Sequence, residues 1–213
     1  MRCTAFAGDS KEEIFMKATQ SKRMSTETMV LGALLTALVF VLQFMGAFVR
    51  FGPFSISLVL IPSVIGVATC GVGVGTWLGF VFGAAVLASG DAAAFLAVNV
   101  PGTIVTVFVK GAACGLCAGL VYKLFERVNR YLAVAVAAVV CPVVNTGVFL
   151  IGCLLFFMDT VAAWAEAAGL GGGVGHYMIF GLVGINFLVE MASNIILSPV
   201  VVRLLNVRSK QHD

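Results

Sequence analysis

The sequence predicts an all-α integral membrane protein, a bundle of six transmembrane helices. Three observations lead there. The 213-residue chain is 61% hydrophobic and only 11% charged, with a mean hydropathy of +1.08, and a soluble domain of this length cannot hide that much apolar surface. Its apolar runs are long and continuous rather than alternating, which favours helices over a β-barrel. Its 24 glycines suit helices that pack backbone to backbone in lipid.

The elements follow in order. Residues 1–26 are polar and mixed in charge, and they lack the basic, apolar and cleavage-site order of a secretory signal. They read as a cytoplasmic tail with a short surface helix. The first span is 27–48, "ETMVLGALLTALVFVLQFMGAF". The second, 55–70, and the third, 73–89, are short for a crossing of ~20 residues. Their joint, "CGVGVG", is tight and uncharged, as in a hairpin. The fourth span is 103–122, the fifth 131–158 and the sixth 177–206. Pro62, Pro142 and Pro199 fall inside these helices, where a proline kinks or ends the helix locally. The membrane domain is thus 27–206, followed by a second cytoplasmic tail, 207–213.

Charge sets the orientation. Arg2, Lys11, Lys17, Lys22 and Arg23 precede the first span, Lys123, Arg127 and Arg130 lie between the fourth and fifth, and Arg203, Arg208 and Lys210 close the chain. With six spans they all fall on one side, which is then cytoplasmic. The outer loops carry Arg50, Asp91, Asp159, Glu166 and His176. The last of them, 159–176, is long and Gly-rich, as a lid would be.

Small residues recur at fourfold spacing. Gly75, Gly79 and Gly83 form one ridge, and Gly111, Gly115 and Gly119 another; such ridges let helices approach closely. Ala33 and Ala37 form a third small pair, either for internal packing or for docking another membrane protein. "GVGVGTWLG" has no following Lys-Ser/Thr and no soluble strand before it, so it is not a phosphate loop. "CGLC" at 114–117 lies inside an apolar span and reads as packing rather than redox chemistry. No metal-ligand spacing, HExxH or G-x-S-x-G is present, so no enzyme and no cofactor is expected.

Polar groups at membrane depth carry the functional signal. Lys110 lies ~10 Å below the outer end of the fourth span, Asn186 ~14 Å into the sixth and Glu190 ~6 Å further. Asn145 falls near the middle of the fifth span, and Asn99 sits in the outer loop before Pro101. A central ionised group costs ~2.5–3.5 kcal/mol on insertion scales and turns toward protein or water. Asn186, Glu190 and Asn194 recur every fourth residue along one helical face. These side chains either hold the bundle together or line a ligand pocket open to the outside. Their gathering in the outer half favours the pocket, with Asn99, Lys110, Asn145, Asn186 and Glu190 as substrate-binding residues. Lys110 suits a carboxylate on a small polar or anionic ligand. The aromatic residues near the pocket, Phe95, Trp164 and Phe187, are few for a large flat ring.

"ALLTAL" in the first span, "FSISLVLIPSVIG" into the second, "GTWLGFVFG", "CPVVNTGVFLIG" and "GINFLVE", in this order, resemble the substrate-binding S components of energy-coupling factor (ECF) transporters. The resemblance covers about 27–206. It implies a six-helix bundle in a bacterial plasma membrane that captures a vitamin or related micronutrient from outside, the ligands of the group including riboflavin, thiamine and pantothenate. It also implies a transmembrane coupling subunit and two ATPase subunits as partners, with Ala33 and Ala37 matching the family's alanine-spaced docking motif. The competing reading is a proton-coupled secondary transporter of a small polar solute titrating at Glu190. The absence of inverted repeats argues against it.

Overall fold

The computed structural model describes residues 26–47, 50–51, 54–55, 59–169 and 173–209. The expected N-terminal surface helix and Cys3 lie outside them. Within them the chain is helices joined by short turns, with one small ladder. Helix α1 is Thr26–Gly46, α2 Leu60–Cys70, α3 Val72–Ala88, α4 Ala93–Leu96, α5 Val100–Phe125, α6 Arg130–Phe156, α7 Met158–Ala167 and α8 Gly173–His176. A π-helical stretch, Tyr177–Gly184, then runs into α9, Ile185–Ser209. Strands β1 (Arg50–Phe51) and β2 (Phe54–Ser55) pair antiparallel between α1 and α2.

Four stretches are long and apolar enough to cross a membrane: Thr26–Gly46, Val100–Phe125, Arg130–Phe156 and Gly173–Arg203. Helices α2 and α3 are apolar but shorter, 11 and 17 residues, or ~16 and ~25 Å against a hydrocarbon core of ~30 Å. The second expected span begins at Leu60 rather than at 55, because the preceding residues include the ladder. The expected tail at 207–213 is also shortened, since α9 continues to Ser209.

Local chemistry explains the boundaries. Gly71 separates α2 from α3 at φ 90°, ψ 178°, a conformation that favours glycine, and its N–H donates to Val67 O at 3.0 Å. Helix α5 starts three residues before its expected position because Asn99 caps it and Pro101 occupies its first turn. Helix α6 is capped by Asn129, whose Oδ1 accepts from Tyr131 N–H at 2.8 Å. Pro62 falls in the first turn of α2, where no intrahelical N–H bond is lost. Pro142 and Pro199 lie inside α6 and α9 without ending either helix.

The glycine ridges pack against each other. Gly75, Gly79 and Gly83 of α3 meet Gly115, Gly111 and the Val107–Phe108 backbone of α5 in an antiparallel register. A Cβ on Gly111 would overlap the Gly79 carbonyl, and one on Gly115 would overlap the Gly75 carbonyl. Cys114 is fully buried beside this seam and donates to Gly111 O at 3.1 Å. Cys114 and Cys117 are free thiols. A large apolar core joins α1, α2, α3, α5, α6 and α9 around Val39, Leu60, Leu78 and Phe82. A second, smaller cluster of Phe95, Cys153, Phe157, Val161, Met178 and Leu182 ties α4, α7 and the π-helical stretch to the end of α6.

That second cluster corrects the expectation of one long outer loop at 159–176. The first half of the segment belongs to α7, which buries Val161 and Ala165. Its pattern is a short amphipathic helix, and Trp164 packs against Phe95 with ring centroids 5.4 Å apart. Residues 170–172, the centre of the Gly-rich run at 169–173, lie outside the described residues.

Candidate functional site

Between α5, α6 and α9 lies a cleft of about 420 Å³, counted with the space open to solvent. Lys110 reaches it from α5, Asn145 from α6, and Asn186 and Glu190 from α9. Asp91, from the turn between α3 and α4, completes the polar lining, and Phe149 and Phe187 supply aromatic wall. Four of the five substrate-binding residues expected from sequence thus converge on one cleft.

Each arrives for a local reason. Glu190 and Asn186 are one turn apart on α9, and Asn186 Nδ2 donates to Glu190 Oε1 at 3.3 Å. Glu190 is 2% exposed and Asn145 5% exposed, so both have left lipid and bulk water for the bundle interior, as the cost of polar groups in hydrocarbon requires. Phe149 lies one turn beyond Asn145 on the same face of α6 and presents its ring beside Lys110. The Lys110 ammonium sits 5.5 Å from the centroids of both Phe149 and Phe82, a cation–π arrangement that holds the charge at depth. The π-helical stretch brings consecutive residues, Leu182 and Val183, to the cleft wall just before Asn186. Such stretches are rare and recur at functional sites.

A second cleft of about 370 Å³ adjoins the first and shares Asp91, Lys110 and Phe149 with it. Its remaining wall is mostly apolar, with Phe95, Phe157, Val86 and Val107 beside Thr103 and Thr106. Phe95 stands edge-on to Phe149 and Phe157, at 5.7 and 4.9 Å between centroids. The aromatic surroundings are therefore richer than expected. Phe149 lines both clefts, Phe157, between α6 and α7, lines the second, and Phe82 lies beside the Lys110 ammonium, whereas Trp164 packs against Phe95 and lines neither cleft.

Asn99 is a correction. It does not line either cleft. Its backbone is extended before Pro101, and its Oδ1 accepts from Gly102 N–H at 3.0 Å, so its side chain caps α5. Asp91 is the residue that sequence reasoning left out, having placed it only as an outer-loop charge. Asn194 is buried, further along α9 and away from the cleft.

Ala33 and Ala37 occupy the opposite kind of environment. Both are exposed, together with Leu34 and Leu38, on the outer face of α1. That separates them from the internal glycine seam. Beside them, Trp77 Nε1 donates to Thr36 Oγ1 at 3.3 Å.

No curated protein matches the chain. No solved structure matches it either. A family model described as "ECF transporter, substrate-specific component" matches residues 27–202.

Proposed function

The chain belongs to the substrate-specific components of ECF transporters, and from that premise we propose that it captures a vitamin-like micronutrient in the cleft between α5, α6 and α9. The observation that carries this reading is the convergence of Lys110, Asn145, Asn186 and Glu190 on one cleft. Bundle glue would be served by polar side chains bonded to one another. Here Asn145 Oδ1 and Asn186 Oδ1 are buried with no hydrogen-bond partner among the described residues, which is costly unless something else satisfies them.

In this reading the captured molecule passes inward through a coupling subunit driven by two ATPase subunits. The exposed small face of α1 at Ala33 and Ala37 is the docking surface, because small side chains allow the close helix approach that drives association in lipid. Six crossings, with α2 and α3 as the short pair, put both termini on the cytoplasmic side together with the basic residues around Lys123–Arg130 and at Arg203.

The experiment separates binding from delivery. Ala33→Trp and Ala37→Trp are expected to abolish uptake in cells carrying the coupling module. The purified variants are expected to retain their co-purified small molecule in native mass spectrometry. Normal uptake by both variants would remove α1 as the docking face. Purified wild-type chain without any bound small molecule, even from cells accumulating the micronutrient, would remove the capture role of the cleft.

A further inference from the structure

We propose that the second cleft is a subsite for a ring of the captured molecule, and that the Thr106 hydroxyl selects a ring carrying a hydrogen-bonding group. This rests on the reading of the first cleft as the capture site and specifies a part of the molecule that enters beside it.

The other helical threonines set the comparison. Thr36, Thr69, Thr76 and Thr103 donate their hydroxyls to the carbonyls one turn back, those of Gly32, Ile65, Val72 and Asn99, at 2.7–2.9 Å. This is the ordinary local bond of a threonine in a helix. Thr106 departs from it. The residue is 6% exposed, and its Oγ1 is buried with no hydrogen-bond partner among the described residues. A hydroxyl both donates and accepts, so this lack does not depend on which way its proton points. An unmatched buried hydroxyl is costly, and such groups call for a partner from elsewhere.

Packing against α6 holds the side chain in place. Gly152 passes so close that a Cβ there would overlap both the methyl and the hydroxyl of Thr106. On one side of this contact Phe156 closes on Gly102, where a Cβ would come within 3.0 Å of the ring. On the other, the Phe149 ring stands beside Lys110. Thr106 is thus fixed at the α5–α6 contact, about 6 Å along α5 from Lys110.

The walls define the occupant. The second cleft is lined by Val86, Ala92, Phe95, Val107, Phe149 and Phe157, and apolar and aromatic walls suit a ring. Asp91 and Lys110 belong to the side shared with the first cleft, so one molecule can reach both spaces. Thr103 also lines the second cleft, but its hydroxyl is committed to Asn99 O. Thr106 therefore carries the uncommitted hydroxyl among the described residues of this lining. A ring bearing a hydroxyl, carbonyl or ring nitrogen gives it a partner. A bare hydrocarbon ring fills the same space and leaves it unmatched, and that asymmetry is how a buried polar group discriminates.

The test uses para-fluorophenol and fluorobenzene, titrated by fluorine NMR on the full chain in lipid nanodiscs, with empty nanodiscs as the blank. The chain is first freed of co-purified small molecules and checked by native mass spectrometry. Para-fluorophenol is expected to bind wild type roughly three- to tenfold more tightly than Thr106→Val, with Thr106→Ser keeping most of the affinity. Fluorobenzene is expected to bind wild type and Thr106→Val alike. Without probe, Thr106→Val is expected to unfold at the same temperature as wild type or higher, because valine keeps the shape and removes an unmatched group. A hydroxyl serving the fold alone predicts the reverse, a lower midpoint for the valine variant with no change in para-fluorophenol affinity, and that result overturns the proposal. Equal affinity of para-fluorophenol for wild type and Thr106→Val, or an equal loss of both probes in the variant, overturns it as well. Wild type that binds neither probe above the blank removes the subsite. If freshly purified chain still carries a small molecule in that case, the first cleft stands as the capture site; if it carries none, the capture reading falls too.

Discussion

Gly111→Leu is expected to abolish recovery of folded, monodisperse protein. The α3–α5 seam has no room for a side chain there. A Cβ on Gly111 would already overlap the Gly79 carbonyl and come within 3.1 Å of the Gly79 carbonyl carbon. These are backbone atoms of a packed helix, so relief requires α3 to move away from α5 along its length. Overpacking against side chains costs about 1–3 kcal/mol, and backbone leaves fewer ways to relax. Separation would also strip the close contacts that substitute for a hydrophobic driving force in lipid. Gly73→Ala is the matched control. Gly73 lies in α3, and a Cβ there meets nothing within 4 Å, so alanine is expected to be neutral or slightly stabilising. Size-exclusion profiles and thermal unfolding of the two variants check this. A Gly111→Leu protein as stable as the control would contradict the packing of the seam.

Glu190→Leu is expected to reduce ligand affinity by ten- to a hundredfold, with Glu190→Gln retaining more of it. Glu190 is nearly inaccessible and holds the Asn186 amide through Oε1. Leucine removes that acceptor and frees the Asn186 side chain to rotate, so a cleft residue loses its orientation as well as a charge. A charge-assisted hydrogen bond of this type is worth about 1.5–3 kcal/mol, which sets the fold-change. Glutamine keeps one carbonyl oxygen where Oε1 accepts, and so preserves the Asn186 geometry while removing the charge. Calorimetry with the co-purified molecule on folded, monodisperse variants measures both. Equal affinity in wild type and Glu190→Leu would return the Asn186–Glu190 pair to a purely structural role.

The sequence by itself determined the class, the helical order and much of the polar site. Hydrocarbon allows no other outcome for continuous apolar runs, because every backbone polar group within it must be bonded inside the segment. The same constraint made Lys110, Asn145, Asn186 and Glu190 legible. A charged or amide side chain at membrane depth is too costly to leave facing lipid, so its position along the helix already says that it turns inward. The glycine ridges were legible in the same manner, since their fourfold spacing leaves one face of each helix bare.

Only the tertiary structure decided the rest, and the undecided features share a cause. Asn99 before Pro101 is equally suited to a ligand and to a helix cap, and the extended backbone there settled it as a cap. Asp91 carries no depth signal because it lies in a turn, and its place in the cleft depends on how α3 and α4 fold over α5. Residues 158–167 became a helix because Val161 and Ala165 find the Phe95–Phe157 cluster to bury against. The two glycine ridges could be assigned to each other, and the Ala33–Ala37 face left outward, only once the helices were packed. Polarity in lipid is a property of a single residue and can be read along the chain. Which neighbour satisfies it, and which small face is covered, are properties of pairs of elements, and these exist only in the assembled bundle.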